Sequence, residues 1–309
     1  MAGTMTKVHV PVAEAVESIG RTARLWRLGG LSPWRLALRT FQGYRENRLW
    51  AFSVAFAYYS MLALFPLLIL IIAAFARLPL SGVLENSLDA AYRALPEDAY
   101  DLLEKQVRDI QDRSTLGLIL AAVGVLAMAG SQVFLTIIDG LNQTYGVKET
   151  RRLWEVYGMA FLLTVAASLL FMLALILMII GPRLSQYLAA RQVGMPFLET
   201  LLSGGVRWGV VCACLWVYTS VVYWLVPNIK LPWYWLSPGS VFAVIGWVVI
   251  SQGFRFYVEN FANYNKTYGA LGGVIVLMVW LDLTGVVLLV GGQINGVIHQ
   301  AEEAAAPAK

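Results

Sequence analysis

Charge is scarce in this sequence. Only 14% of its residues are Asp, Glu, Lys or Arg, against about 25% in an average soluble domain. With 59% apolar residues and a mean hydropathy of +0.65, that scarcity excludes a disordered chain, which needs low hydrophobicity and high net charge. It also argues against an ordinary soluble enzyme. Histidine is rarer still, with two residues, His9 and His299, both near the termini. No His, Asp and Glu set has metal-ligand spacing, so no metal site is expected. The two cysteines, Cys212 and Cys214, share one apolar run. Positions i and i+2 of a helix point to different faces, which excludes a disulfide framework and a metal pair. No G-x-S-x-G, P-loop or G-x-G-x-x-G occurs. The expectation is no catalytic residue, no cofactor and no nucleic-acid partner.

What is plentiful is uninterrupted apolar sequence. Of 23 basic and 19 acidic residues, all but one lie outside six stretches: Leu49–Ala76, Ser114–Ile138, Val156–Pro182, Trp208–Ile229, Leu231–Phe254 and Thr267–Ala301. A helix needs about 20 mainly apolar residues to span the hydrocarbon core. A soluble core helix shows one apolar stripe, whereas these runs are apolar all round. Membrane β-strands would be roughly 10-residue alternating segments, and none is seen. The predicted fold is therefore all-α, a polytopic membrane protein with six transmembrane helices. Its parts are a basic segment over 1–48, a bundle over 49–300 and a flexible tail over 301–309.

The first 48 residues hold eight Lys or Arg against three Glu, whereas Arg77–Arg113 holds five basic and eight acidic residues. The positive-inside rule then places the N-terminus in the cytoplasm, and six spans return the C-terminus there. No apolar run in the first 48 residues suits a signal peptide, so retention of the N-terminus is expected.

Two amphipathic regions flank the first span. Ser32-Pro33 reads as an N-cap with proline at the first helical position. Trp34, Ala37, Leu38, Phe41 and Tyr44 then form one stripe, with Arg35, Arg39, Gln42 and Arg45 on the other face. Such a helix suits the cytoplasmic interface, with Trp34, Arg35, Arg39 and Arg45 meeting anionic lipid headgroups. The alternative is a helix that only packs beneath the bundle. Across the membrane, Leu84, Leu88, Ala91, Tyr92 and Leu95, then Tyr100, Leu103, Val107 and Ile110, predict an outer helical hairpin over 77–113.

Asp282 is the one charge inside a span, near the middle of Tyr268–Ile298. A charged Asp there costs roughly 2.5–3.5 kcal/mol on insertion scales, so it should face the bundle interior. Gly285, Gly292, Gln293 and Gly296 lie on or beside its face. Two readings stand side by side: a protonatable group on a substrate or proton path, or a protonated Asp bonded to Ser131, Gln132, Ser251 or Gln252. Gly239, Gly246 and Gly253 recur every seven residues in span five, and Gly117, Ala121, Gly124 and Ser131 line span two. Both strips are expected to pack closely. Pro66 follows Tyr58-Tyr59-Ser60 in span one and should free a backbone carbonyl there. Trp224, Trp233 and Trp235 read as an interfacial aromatic belt.

Ala57-Tyr58-Tyr59-Ser60 with Phe65-Pro66-Leu67-Leu68 resembles the first-span signature of the YihY/BrkB membrane protein family. Leu141-Asn142 with Tyr145, Val147 and Arg151 is similar to its segment after span two. Pro238-Gly239, then Tyr257, Phe261, Tyr264 and Tyr268-Gly269, and Trp280 before Gly292-Gln293-Ile294-Asn295 complete an ordered set from about residue 33 to 300. The resemblance implies a six-span bacterial inner-membrane protein, in a family that has carried a ribonuclease BN label and a serum-resistance label. Family members usually show Glu where this chain has Gln293, and more often an aromatic where it has Asp282, so neither residue's role is carried over.

The leading expectation is transport or flipping of a lipid or other amphiphilic envelope component. Its polar site is drawn from Asp282, Gln293, Asn295, Ser131, Gln132, Tyr58, Tyr59 and Pro66. A scaffold for envelope protein partners is the alternative, and a membrane-associated ribonuclease the third.

Overall fold

The computed structural model describes residues 25–77, 104, 116–179, 204–234, 236–261 and 270–305. Among these residues a short 3-10 turn, Leu28–Gly30, precedes seven helices: α1 Pro33–Glu46, α2 Leu49–Arg77, α3 Leu116–Tyr145, α4 Leu153–Ile179, α5 Gly204–Leu225, α6 Pro238–Phe261 and α7 Ala270–Ala305. No strand occurs among the described residues. Helices α2 to α7 are the six long and apolar enough to cross a membrane, and each corresponds to one charge-poor run. The expected outer hairpin lies, apart from Arg77 and Glu104, outside the described residues, as does Trp235.

Helix α1 begins as its sequence dictates. The Ser32 side chain accepts a hydrogen bond from the Arg35 amide at 3.3 Å, and Pro33 occupies the first turn. The helix has three faces rather than two. Trp34, Leu38 and Phe41 stay exposed, and Arg35, Arg39 and Arg45 are exposed beside them. The face turned inward is Leu36, Thr40, Gly43 and Asn47, at spacings of four, three and four residues, and Thr40 is buried. The apolar stripe is thus left for the membrane, and a small, polar seam docks the helix.

It docks on α7, which touches α1, α2, α3, α6 and the 3-10 turn. At 36 residues and about 1.5 Å per residue, α7 is far longer than a hydrocarbon core of about 30 Å. Its surplus lies at the α1 end. There Ala301 packs against Gly29, whose φ of +60° is the left-handed region that glycine tolerates. This contact carries the helix to Ala305, into the segment expected as a flexible tail.

Apolar burial on α4, α5 and α7 is concentrated toward the α1 end, whereas α2 and α3 stay buried further along, at Ile71, Ala73, Ala122 and Leu126. Ile137, Ile138, Leu141, Val156, Ala160, Leu163, Val222, Tyr223, Ala243 and Val287 form one cluster. On α4 the described burial stops at Thr164, on α5 it begins at Thr219, and on α7 it begins at Gly285. Without a hydrophobic drive between helices in lipid, small residues and backbone approach must hold such a bundle.

The closest approach joins α6 to α7. A Cβ on Gly239 would collide with the Gly291 carbonyl, and one on Gly291 would lie 2.6 Å from the Gly239 carbonyl. Gly246 meets Val287, so two of the three span-five glycines pack as expected. Gly253 and Gly124 have nothing within 4 Å, and Ala121 is exposed; on α3 the buried face there is Ala122, Leu126 and Gly130 instead. Gly291→Ala would press on both the Tyr223 hydroxyl and the Gly239 carbonyl, so it is expected to lose about 1–3 kcal/mol, read as a shifted midpoint in SDS-titrated unfolding. Gly253→Ala should move the same midpoint by less than about 0.5 kcal/mol.

Candidate functional site

The sequence of α7 places Asp282, Gln293 and Gln300 on one face. Offsets of 11 and 18 residues are about three and five whole turns at 3.6 residues each. This face meets α1 and the start of α2. The Asn47 Nδ2 donates to Gln293 Oε1 at 3.1 Å, and the Gln293 amide lies against Gly43, where a Cβ would collide with it. Gln293 is only 2% exposed. Further along, Ser53 and Phe56 close on Gly285. Helix α2 therefore runs antiparallel to α7, and one more turn brings Tyr58 and Tyr59 to the depth of Asp282.

Asp282 is half-buried, and its Oδ1 is buried with no hydrogen-bond partner. Three of its four candidate cross-span partners are engaged or turned elsewhere. Ser131 donates to the Ala127 carbonyl of its own helix, Ser251 accepts from the Trp280 indole at 3.3 Å, and Gln252 is exposed. Tyr44 of α1 feels Asp282 only as the weakest of three influences. Burial pushes the Tyr44 hydroxyl above its usual range, a hydrogen bond with Ser53 pulls the other way, and the Asp282 charge adds to the rise.

At the α1 end the same face opens into a cavity of about 400 Å³, where Arg39, Gln42, Glu46, Asn47, Gln143, Gln293 and Gln300 meet. Its polar seam therefore runs from this cavity past Tyr44 and Ser53 to Asp282. Tyr44, Gly43 and Asn47 escaped the sequence reading of the site, since only the docked seam of α1 shows their role.

The other expected residues are not gathered here. Asn295 points to α6: its Oδ1 accepts from the Gly239 amide at 2.9 Å and its Nδ2 donates to Ser237 Oγ at 3.0 Å. Ser237 in turn caps Ser240, so Asn295 fastens the start of α6. Gln132 is half-buried on α3, where its carbonyl accepts from Thr136. Pro66 is buried inside an unbroken α2, well past the depth of Asp282. Tyr58 is 52% exposed and stacks edge-on with Tyr59 at 5.3 Å.

A second polar lock ties the α3–α4 loop to the end of α5. Asn142 donates to Glu149 at 2.9 Å and accepts from the Asn228 amide at 2.8 Å. Asn228 donates to the Lys148 carbonyl and to Thr150. Arg151 bonds both oxygens of Glu149 and reaches the Val226 carbonyl at 2.9 Å. The Arg151 hydrogen bonds hold the Glu149 carboxyl down from the usual 4.5 to about 2. Ionised Glu149 therefore favours the folded loop above pH 4.5, and that contribution fades as pH falls through about 2. Glu149→Gln is expected to lower the thermal midpoint at pH 7, with the gap to the parent protein narrowing steadily below pH 4.5.

A family described as Virulence factor BrkB matches residues 40–309. The ribonuclease-like protein YfkH of Bacillus subtilis (strain 168) is 35% identical over 251 residues, 81% of this chain and 90% of that protein. A UPF0761 membrane protein of Alkalilimnicola ehrlichii is 29% identical over 81% of this chain, which spans 55% of that protein's length. Another, of Methylibium petroleiphilum, is 23% identical over 95% of this chain and 70% of its own. No solved structure matches. Residues expected from the resemblance fall in the contacts above: Asn142 and Arg151 in the loop lock, Gly239 and Asn295 where α6 meets α7, Gln293 against α1. With six membrane-spanning helices and a family match over most of its length, the chain is an integral membrane protein of the Virulence factor BrkB (YihY/BrkB) family.

Proposed function

We propose that the protein moves a lipid or other amphiphilic envelope component between membrane leaflets, along the α7 seam. The observation that carries this reading is the Asp282 carboxylate, with one oxygen buried and unpartnered within a span. A lone carboxylate there is costly to insert. A purely structural Asp would be expected to have both oxygens engaged. It sits on the same face as Gln293 and Gln300, below a polar cavity at the α1 end. A passing headgroup would find polar contact along that face while its chains stay in lipid.

The α1 end is assigned to the cytoplasmic face of a bacterial inner membrane, from the eight basic residues of the first 48. Trp34, Leu38 and Phe41 would then lie at the headgroup boundary, with Arg35 and Arg45 toward anionic lipid. In this reading residues 1–48 are a cytoplasmic basic segment that includes the interfacial helix, and 49–300 are the bundle. The ribonuclease-like name of YfkH points to hydrolysis. Among the described residues, though, no group of three or more His, Cys, Asp or Glu could hold a metal.

In proteoliposomes, the purified protein is expected to move labelled phospholipid between leaflets faster than protein-free vesicles do. Asp282→Asn should slow that movement by about tenfold, about 1.4 kcal/mol. Movement no faster than in empty vesicles across several lipid classes would leave the scaffold reading in its place.

A further inference from the structure

The cavity at the α1 end carries charges of both signs that do not neutralise each other. Arg39 and Glu46 both line it and both are exposed. They lie seven residues apart on α1, about two turns and about 10 Å along the axis, which is one face but beyond ion-pair reach. Neither has a salt-bridge partner among the described residues. The wall between and opposite them is built of amides, from Gln42, Asn47, Gln143 and Gln300, which can donate and accept. A volume of about 400 Å³ falls in the range of small-ligand sites, about 300–1,000 Å³. The cavity is net neutral and dipolar, and the chemistry that complements it is a ligand with an anionic and a cationic group side by side.

Depth identifies the source of that ligand. The cavity is flanked by α1, whose exposed Trp34 and Phe41 mark an interfacial helix, and by the start of α2, where Trp50 is exposed. Trp at this level is the signature of the headgroup layer. We infer that this cavity is a binding site for the headgroup of a zwitterionic phospholipid of the phosphoethanolamine type. Arg39 receives the phosphate and Glu46 the ammonium, and the amides hold the ester and glycerol oxygens. This rests on the transport reading in one respect only, that the seam carries a lipid; it names the headgroup class. An anionic headgroup would meet Glu46 unfavourably. A choline headgroup offers no N–H for Glu46 to accept.

The test is lipid retention by the full-length protein, taken from nanodiscs of equal parts phosphatidylethanolamine, phosphatidylglycerol and phosphatidylcholine and read by native mass spectrometry. The wild-type chain is expected to retain phosphatidylethanolamine over the other two by about fivefold, the size of one exposed ion pair. Glu46→Gln should reverse that order in favour of phosphatidylglycerol, and Arg39→Gln should abolish retention of both. Both side chains are exposed and unpaired, so the thermal midpoint should not move. Equal retention of the three lipids, or a preference unchanged by Glu46→Gln, overturns the inference. Retention with the expected preference but no leaflet transfer in proteoliposomes would remove the transport reading and leave the headgroup site standing.

Discussion

The backbone contact between Gly239 of α6 and Gly291 of α7 is the constraint on which the rest of the bundle depends. Lipid tails are as apolar as leucine, so helices in a bilayer gain little by hiding apolar side chains from them. What holds them is close backbone approach and polar bonds made where no water competes. Here the two coincide: the glycines admit α6 to the surface of α7, and Asn295 then bonds the Gly239 amide and Ser237 within the same turn. Tyr223 closes the third side, its hydroxyl donating to the Leu288 carbonyl at 2.6 Å. Two spans, α5 and α6, are thereby fixed to one stretch of α7. Its opposite face is left for α1, α2 and the polar seam.

That division of labour on α7 explains why neighbouring polar residues do unlike work. Gln293 and Asn295 are two positions apart, about 200° around the helix. One serves the seam and the other locks α6. Their grouping into a single intramembrane site follows naturally from sequence proximity, and the helix separates them. Gly285 and Gly296 are likewise consumed by contacts with Ser53 and Thr144.

The spans themselves were legible because membrane insertion is a one-dimensional requirement: a run of about 20 apolar residues satisfies it regardless of partners. The Ser32-Pro33 start of α1 was legible for the same reason, since capping is local. Packing glycines were legible only in part. The seven-residue repeat over Gly239, Gly246 and Gly253 is regular in sequence, but near its last member α6 meets α7 through Ser251 and Trp280, and Gly253 is exposed with nothing against it. The third face of α1 was illegible because Thr40, Gly43 and Asn47 look like ordinary solvated residues until Gln293, some 250 positions away, is set against them. The Asn142, Glu149, Arg151 and Asn228 lock is hidden likewise. Two of its members, Asn142 and Arg151, belong to a motif recognisable by resemblance, but its purpose appears only once the α3–α4 loop and the end of α5 meet.

The uneven burial along α4, α5 and α7 has a mechanical consequence. Each is gripped by protein near the α1 end, and over the remainder of its described length its tilt answers to the lipid as well as to its neighbours. Membrane thickness and chain order then become part of the protein's own energy balance. A thinner bilayer would favour greater tilt of α4, α5 and α7, and a thicker one less. The clamp itself, built of glycine, asparagine and tyrosine around one stretch of α7, would stay as it is.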